Sequence, residues 1–266
     1  MAAVDSQMRS LGLNYKRFSA VDGACPNAQI AKVNTTQFIL SHKKQPVRAE
    51  LACASSHMAV WQQFLETGDP YALILEDDVQ IGPEILAIMR KIDFLEKFDF
   101  LNLSSCVPYR VNKSDLETLL KLGQTQRPMV FSRYSRKNWQ KIEWRKRWRI
   151  FRLHSAPGDL VACECDPAPA LSSGYIISRR AAAHFLSTAG RLSFPIDLTW
   201  RVSGGKLVQG FMARPVVLQT EEDSDINGRF DQPGITLGYR LLRPLFKSRR
   251  LRRRLDVLKM YGLLRH

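Results

Sequence analysis

The stretch Tyr71-Ala72-Leu73-Ile74-Leu75-Glu76-Asp77-Asp78-Val79 constrains this chain more than any other. A mostly apolar run of strand length, with no helical period, leads into three adjacent carboxylates. The run reads as a strand buried on both faces, as in a sheet covered by helices. Three neighbouring acids repel one another unless a positive charge sits among them. Hard divalent cations such as Mg²⁺ and Mn²⁺ take oxygen ligands, typically one or two carboxylates plus substrate phosphates. In open α/β sheets, ligands bind at the carboxyl ends of strands. The stretch therefore points to a cation bridging protein carboxylates and a phosphorylated substrate. The alternative is a solvated acidic turn after a core strand.

The flanking pattern supplies the fold class. Residues 4 to 13 read as the end of a helix, with Val4, Met8 and Leu11 on one face and Gly12 as its stop. Tyr15 to Ala20 alternates like a short strand, and residues 25 to 47 read as loop with a short helix. Ala49 to Leu65 keeps helical spacing, Pro83 opens a helix to about Lys91, and Phe98 to Leu103 reads as a strand. A strand at 172–178, an Ala-rich helix to about Ala189 and a late strand at 211–218 follow. Alternating helices and strands argue for an α/β fold with a mostly parallel central sheet. The 266 residues suit one such domain with an appendage. We place the domain at 1–234, with a variable basic insertion over 107–170 that carries Trp139, Trp144 and Trp148, and a basic tail at 235–266.

Charge narrows the function classes. Forty Lys and Arg against 25 Asp and Glu give a formal net charge of +15, which calls for an anionic partner. Between Arg240 and Arg254 lie Arg243, Lys247, Arg249, Arg250, Arg252 and Arg253 with no acid among them, and leucines recur at helical spacing. That composition describes an amphipathic helix lying on an anionic membrane surface. A solvated tail, or one folded back on the domain, is the alternative. A nucleic-acid-binding protein would suit the charge and the interleaved tryptophans. It leaves the acidic triplet unexplained and lacks a zinc-finger or RNA-recognition signature, so no nucleic-acid partner is expected. No stretch approaches the ~18 apolar residues of a spanning helix, and the N-terminus lacks a secretory pattern. Five cysteines, without zinc or redox spacing, fit reduced thiols in a cytoplasmic protein.

Several blocks together resemble glycosyltransferase family 25, the lipooligosaccharide and lipopolysaccharide galactosyltransferases of Gram-negative bacteria. They are Leu11-Gly12-Leu13 with Phe18-Ser19-Ala20-Val21-Asp22-Gly23, then Glu50-Leu51-Ala52-Cys53-Ala54-Ser55-Ser56-His57, Trp61, and Ile74 to Val79. Later blocks are Gly174 to Ser178, Pro195-Ile196-Asp197, Pro215 to Gln219 and Ser224-Asp225-Ile226. The resemblance spans about residues 9 to 227. Its most specific element is the Cys-x-x-Ser-His block about twenty residues ahead of the acids.

The resemblance implies a GT-A-type nucleotide-sugar-binding fold, a UDP-hexose donor, Mn²⁺ or Mg²⁺, and inversion at the anomeric carbon. The acceptor it implies is a lipid-linked oligosaccharide, met at the inner face of the cytoplasmic membrane. Family members begin with a strand ahead of the first helix, so the expected sheet lacks that usual first strand. A catalytically impaired relative that binds glycan or a partner is the alternative. Under this resemblance Asp78 is the direct metal ligand, Glu76 lies near the ribose or a metal-bound water, and Asp77 serves either role. Asp22, Gly23, Ser56 and His57 become donor contacts; His57 is otherwise a buried structural histidine. Gly174 lets backbone approach the sugar or packs against the next helix. Inversion needs a base for the acceptor hydroxyl. Asp197 is the candidate, with a helix N-cap as its alternative role; Glu221, Glu222 and Asp223 are less well framed.

Overall fold

The structure is a computed structural model that describes residues 2–42, 44–107, 109, 149–220 and 247–261. The acids Glu221, Glu222 and Asp223, the block at Ser224, the tryptophans Trp139, Trp144 and Trp148, and the tail before Lys247 lie outside the described residues.

Helix α1 (Ala2–Ser10) ends where expected, at Gly12, whose φ of +63° needs a residue without Cβ. Met8 turns its apolar face to the core. The 14–20 segment is largely exposed and has no partner strand, so the expected strand from Tyr15 does not form. Helix α2 (Thr35–His42) buries Phe38, Ile39 and Leu40. Helix α3 (Arg48–Glu66) buries Ala54, His57, Trp61 and Phe64 on one face and Ala52 on the opposite one, toward Gly23.

Strand β1 (Tyr71–Leu75) leads through the acids into β2 (Val79–Ile81). Helices α4 (Glu84–Arg90) and α5 (Ile92–Leu95) then reach β3 (Phe100–Asn102). Strands β4 (Arg149–Ala156) and β5 (Leu160–Asp166) form a hairpin. Strand β6 (Gly174–Ser178), α6 (Arg179–Ala189), a 3₁₀ turn (Ile196–Leu198) and α7 (Thr199–Val202) follow. Strands β7 (Gln209–Met212) and β8 (Val217–Gln219) and helix α8 (Lys247–Met260) complete the described order.

The chain is α/β, but the expected mostly parallel sheet is corrected. Six strands lie in the order β1-β6-β3-β7-β5-β4, and among them only β3 and β7 pair in parallel. The helix-strand alternation did carry direction: β1 and β3 each run antiparallel to β6, so they run the same way as each other. The late strand β6 is interposed between them and turns one crossover into two antiparallel ladders. For the same reason β1 is an edge strand, mostly half-buried, rather than buried on both faces. The fully buried strands are β3, β5, β6 and β7.

Residue alternation splits the core across the sheet. Phe100, Tyr175, Ile177 and Phe211 face a cluster with Trp61, Phe185 and Trp200. Leu101, Ile176 and Met212 face the other cluster, with Met8, Ile85, Ile88 and Phe94. Residues 149–166, expected inside a variable insertion, thus supply two strands of the central sheet. Tail helix α8 also docks: Tyr261 stacks on Phe151 at 3.6 Å between ring centroids, and Val257 is buried beside it. Gly205, at φ +77°, lies so close that a Cβ there would meet the α8 backbone at 2.6 Å.

Candidate active site

Pairing of β1 with β6 sets the site. Leu75 is opposite Gly174, so the first acid and the serines before β6 leave the sheet together, and Glu76 N donates to Ser173 O at 2.9 Å. The chain then crosses to the β2–β8 ladder, where Val79 pairs with Gln219. Gln7 of α1 fixes this second ladder: its Nε2 donates to Val79 O at 3.1 Å, and its Oε1 accepts from Ile81 N at 2.7 Å. The acids span the gap between the two ladders.

Each acid has a different environment. Glu76 turns back toward β6 and α3, where its Oε1 accepts from the Ser172 hydroxyl at 2.7 Å and lies 3.3 Å from His57 Nε2. Asp77 is exposed. Asp78 faces β8: its Oδ2 accepts from Gln219 Nε2 at 2.7 Å, and its carbonyl accepts from Thr220 N and Oγ1, both at 2.7 Å. Asp78 Oδ1 is buried and has no hydrogen-bond partner among the described residues.

A buried relay stands behind Glu76. The Trp61 indole N–H, which can only donate, gives a 2.8 Å hydrogen bond to the Tyr175 hydroxyl, and that hydroxyl lies 2.9 Å from His57 Nδ1. Burial pushes the imidazole down, but Tyr175, Cys53 and Glu76 outweigh it and hold His57 well above the ordinary histidine value. Both ring nitrogens of the charged ring donate, Nδ1 to Tyr175 and Nε2 to Glu76. Burial likewise raises the Glu76 carboxyl, and the bonds and charge from His57, with the Ser172 hydroxyl, more than reverse it. The two form a partly buried ion pair.

The other expected contacts are placed as follows. Ser56 Oγ accepts from Val21 N at 2.8 Å and donates to Ala52 O, so it holds the neighbouring Asp22-Gly23 turn against α3. Asp22 is exposed and accepts from Ala24 N through its side chain. A Cβ on Gly23 would stand 3.2 Å from both Ala49 and Ala52, while Arg48 donates to the Gly23 and Cys25 carbonyls. Gly174 is explained by packing: a Cβ there would meet Val217 at 2.7 Å. Its small size serves β8, not a helix.

Asp197 lies in the 3₁₀ turn, which packs against α3. It is neither the residue preceding that turn nor the one preceding α7, so its N-cap alternative is not realised. Its charge faces Arg201, where burial lowers the guanidinium pKa while Asp197 and Tyr109 oppose the shift.

Sequence reasoning passed over three residues whose side chains touch the acids, Ser172, Gln219 and Thr220, and a fourth, Tyr175, that reaches Glu76 through His57. Tyr175 reads as core because its ring is core, packed at tilted angles among Phe100, Trp200 and His57. The signal for the others was present in Ser172-Ser173, a polar pair abutting an apolar strand.

Two groups have donor atoms suited to cations. One is Asp78, with its orphaned buried oxygen. The other is Cys53, His57 and Glu76, whose ligand atoms lie within 4.8 Å of one another. No helix of the described residues is long and apolar enough to cross a membrane. No curated protein matches the chain. Residues 2–200, which hold α1, the acids, β6 and the turn at Asp197, match the family described as Glycosyltransferase family 25 (LPS biosynthesis protein). With most of its length inside that match, the chain belongs to glycosyltransferase family 25.

Proposed function

We propose that this glycosyltransferase moves a hexose, galactose in the first instance, from a UDP-sugar to a lipopolysaccharide or lipooligosaccharide acceptor, with inversion, on a GT-A-type fold. The observation that carries the reading is Asp78 Oδ1. A buried carboxylate oxygen without a hydrogen bond is costly, and an oxygen-preferring cation such as Mn²⁺ or Mg²⁺ satisfies it. Asp78 would hold that ion, with Glu76 beside it or its bound water. When bound, the ion supplies charge neutralisation for the departing UDP diphosphate.

The chain's own groups do the rest. Gln219 and Thr220 hold Asp78 by its side chain and carbonyl. His57 and Ser172 hold Glu76 ionised toward the ribose side. The turn at Asp22-Gly23, held by Ser56 and Arg48, forms a wall for the nucleotide. Asp197 takes the proton of the acceptor hydroxyl on the face opposite the leaving group. Working at the inner face of the cytoplasmic membrane, the enzyme would meet its lipid-linked acceptor through the basic tail.

The test is Mn²⁺-dependent transfer from UDP-galactose by the full chain and by Asp78→Asn, which keeps an oxygen for Gln219. Transfer is expected in the first and is lost in the second, with thermal melting unchanged or raised because one of three repelling acids is gone. Unchanged transfer with lowered melting refutes the reading. Absence of transfer by the unmodified chain, with retained glycan binding, favours an impaired relative.

A further inference from the structure

We propose that Cys53, His57 and Glu76 form a second cation site, selective for a borderline-soft divalent ion such as Zn²⁺ and distinct from the oxygen site at Asp78. The inference shares Glu76 with the proposed donor site but does not depend on sugar transfer.

Cys53 and His57 stand one helical turn apart on α3, the spacing that puts two side chains on one face. With Glu76 they are the one group of at least three His, Cys, Asp or Glu side chains among the described residues whose ligand atoms converge, all within 4.8 Å. Tetrahedral zinc ligands at ~2.0–2.3 Å from the metal stand about 3.3–3.6 Å from one another. Shifts on the order of 1 Å close the set.

Outer partners are already in place. Tyr175 holds His57 Nδ1 and leaves Nε2 facing Glu76, the arrangement that orients a ligating imidazole. Ser172 holds Glu76 Oε1. Cys53 and Glu76 are half-buried, which gives an ion access, whereas Cys163 and Cys165 are sealed in the core. Thiolate and imidazole favour Zn²⁺ or Co²⁺ over Mg²⁺ and Mn²⁺. Binding releases the Cys53 thiol proton and the His57 Nε2 proton to solvent, while Nδ1–H stays on the Tyr175 hydroxyl. Three protein ligands leave a fourth position open. Occupancy ties Glu76 to α3 and so competes with its role toward a donor.

The test titrates Co²⁺, a spectroscopic substitute for Zn²⁺, into the reduced full chain without nucleotide. A sulfur-to-cobalt charge-transfer band is expected. Zn²⁺ bleaches it, Cys53→Ser abolishes it and Asp78→Asn keeps it. Tyr175→Phe weakens Zn²⁺ binding about 10- to 100-fold. Should Cys53→Ser fail to fold, calorimetry of the unmodified chain in buffers of different ionisation heat gives a second measure, with protons released as Zn²⁺ binds. No band, a band that survives Cys53→Ser, or no proton release overturns the site. Loss of transfer in Asp78→Asn without any cobalt band leaves the donor reading standing and removes this one. A band in a protein that transfers no sugar does the reverse.

Discussion

Asp197 and Glu76 are both carboxylates beside a cation, yet their surroundings ask different things of them. Glu76 is clamped by two donors, Ser172 and His57. Asp197 is half-buried in a one-turn element, with Arg201 at its side. Asp197→Asn keeps the shape and removes the basicity, so turnover is expected to fall roughly 10²- to 10⁴-fold. Donor affinity by calorimetry should stay within error. A collapse of affinity at unchanged turnover per bound donor would reassign Asp197 to binding. Melting of the same variant reports what Arg201 loses when its neighbouring charge goes. At this scale the acids were legible because their meaning is local: three carboxylates after an apolar run need no tertiary knowledge. What they touch was not, since Gln219 lies 141 residues from Asp78 and Ser172 lies 96 from Glu76. Gly174 shows the same limit, because Val217, which fills the space a side chain would need, belongs to a different strand later in the chain.

Helix α8 has two apolar aspects, and the fold uses one. Val257 and Tyr261 are buried against Phe151, while Leu255, roughly 200° round the helix from Val257, is 41% exposed. Arg252 and Lys259, both exposed, flank Leu255. Residues 247–261 are therefore folded back on the domain, one of the alternatives the sequence offered, and still present a leucine between cations. Each basic residue near an anionic bilayer contributes about 1 kcal/mol. Replacing Arg252 and Lys259 by Gln should weaken co-sedimentation with anionic vesicles roughly 30-fold, with neutral vesicles unaffected and melting preserved. Equal binding by both proteins would move the attachment elsewhere on the chain. Among the strands, β4 and β5 escaped the sequence for a physical reason. Strand β5 is buried along its whole length yet carries Glu164 and Asp166, so it does not look like a core strand. Glu164 is matched by His154 at 3.0 Å across the hairpin, a partner that only the pairing reveals.

For the molecule as a whole, the buried acid Asp166 couples stability to pH. Burial raises its carboxyl to about 7, against the opposing Gly205 N–H and Arg253. The folded state thus keeps a proton that the unfolded chain releases near pH 4. Its stabilising effect is complete below that point and is lost as pH rises through about 7. Asp166→Asn keeps an acceptor for Gly205 and should flatten this part of the profile, gaining up to roughly 4 kcal/mol over the unmodified chain at pH 8. Melting of both proteins from pH 4 to 8.5 checks it, and parallel curves would remove the buried proton. Clustered acids at the end of β1 have a further consequence during synthesis. At about 5–20 residues per second, the partner strand Gly174–Ser178 leaves the ribosome on the order of ten seconds after Tyr71–Leu75. Throughout that interval Tyr71–Leu75 is an unpaired apolar segment of high sheet-forming tendency, able to stack on its like from other nascent chains. The three carboxylates that follow it put like charge at the end of every copy, and so act as gatekeepers against aggregation before the sheet has formed.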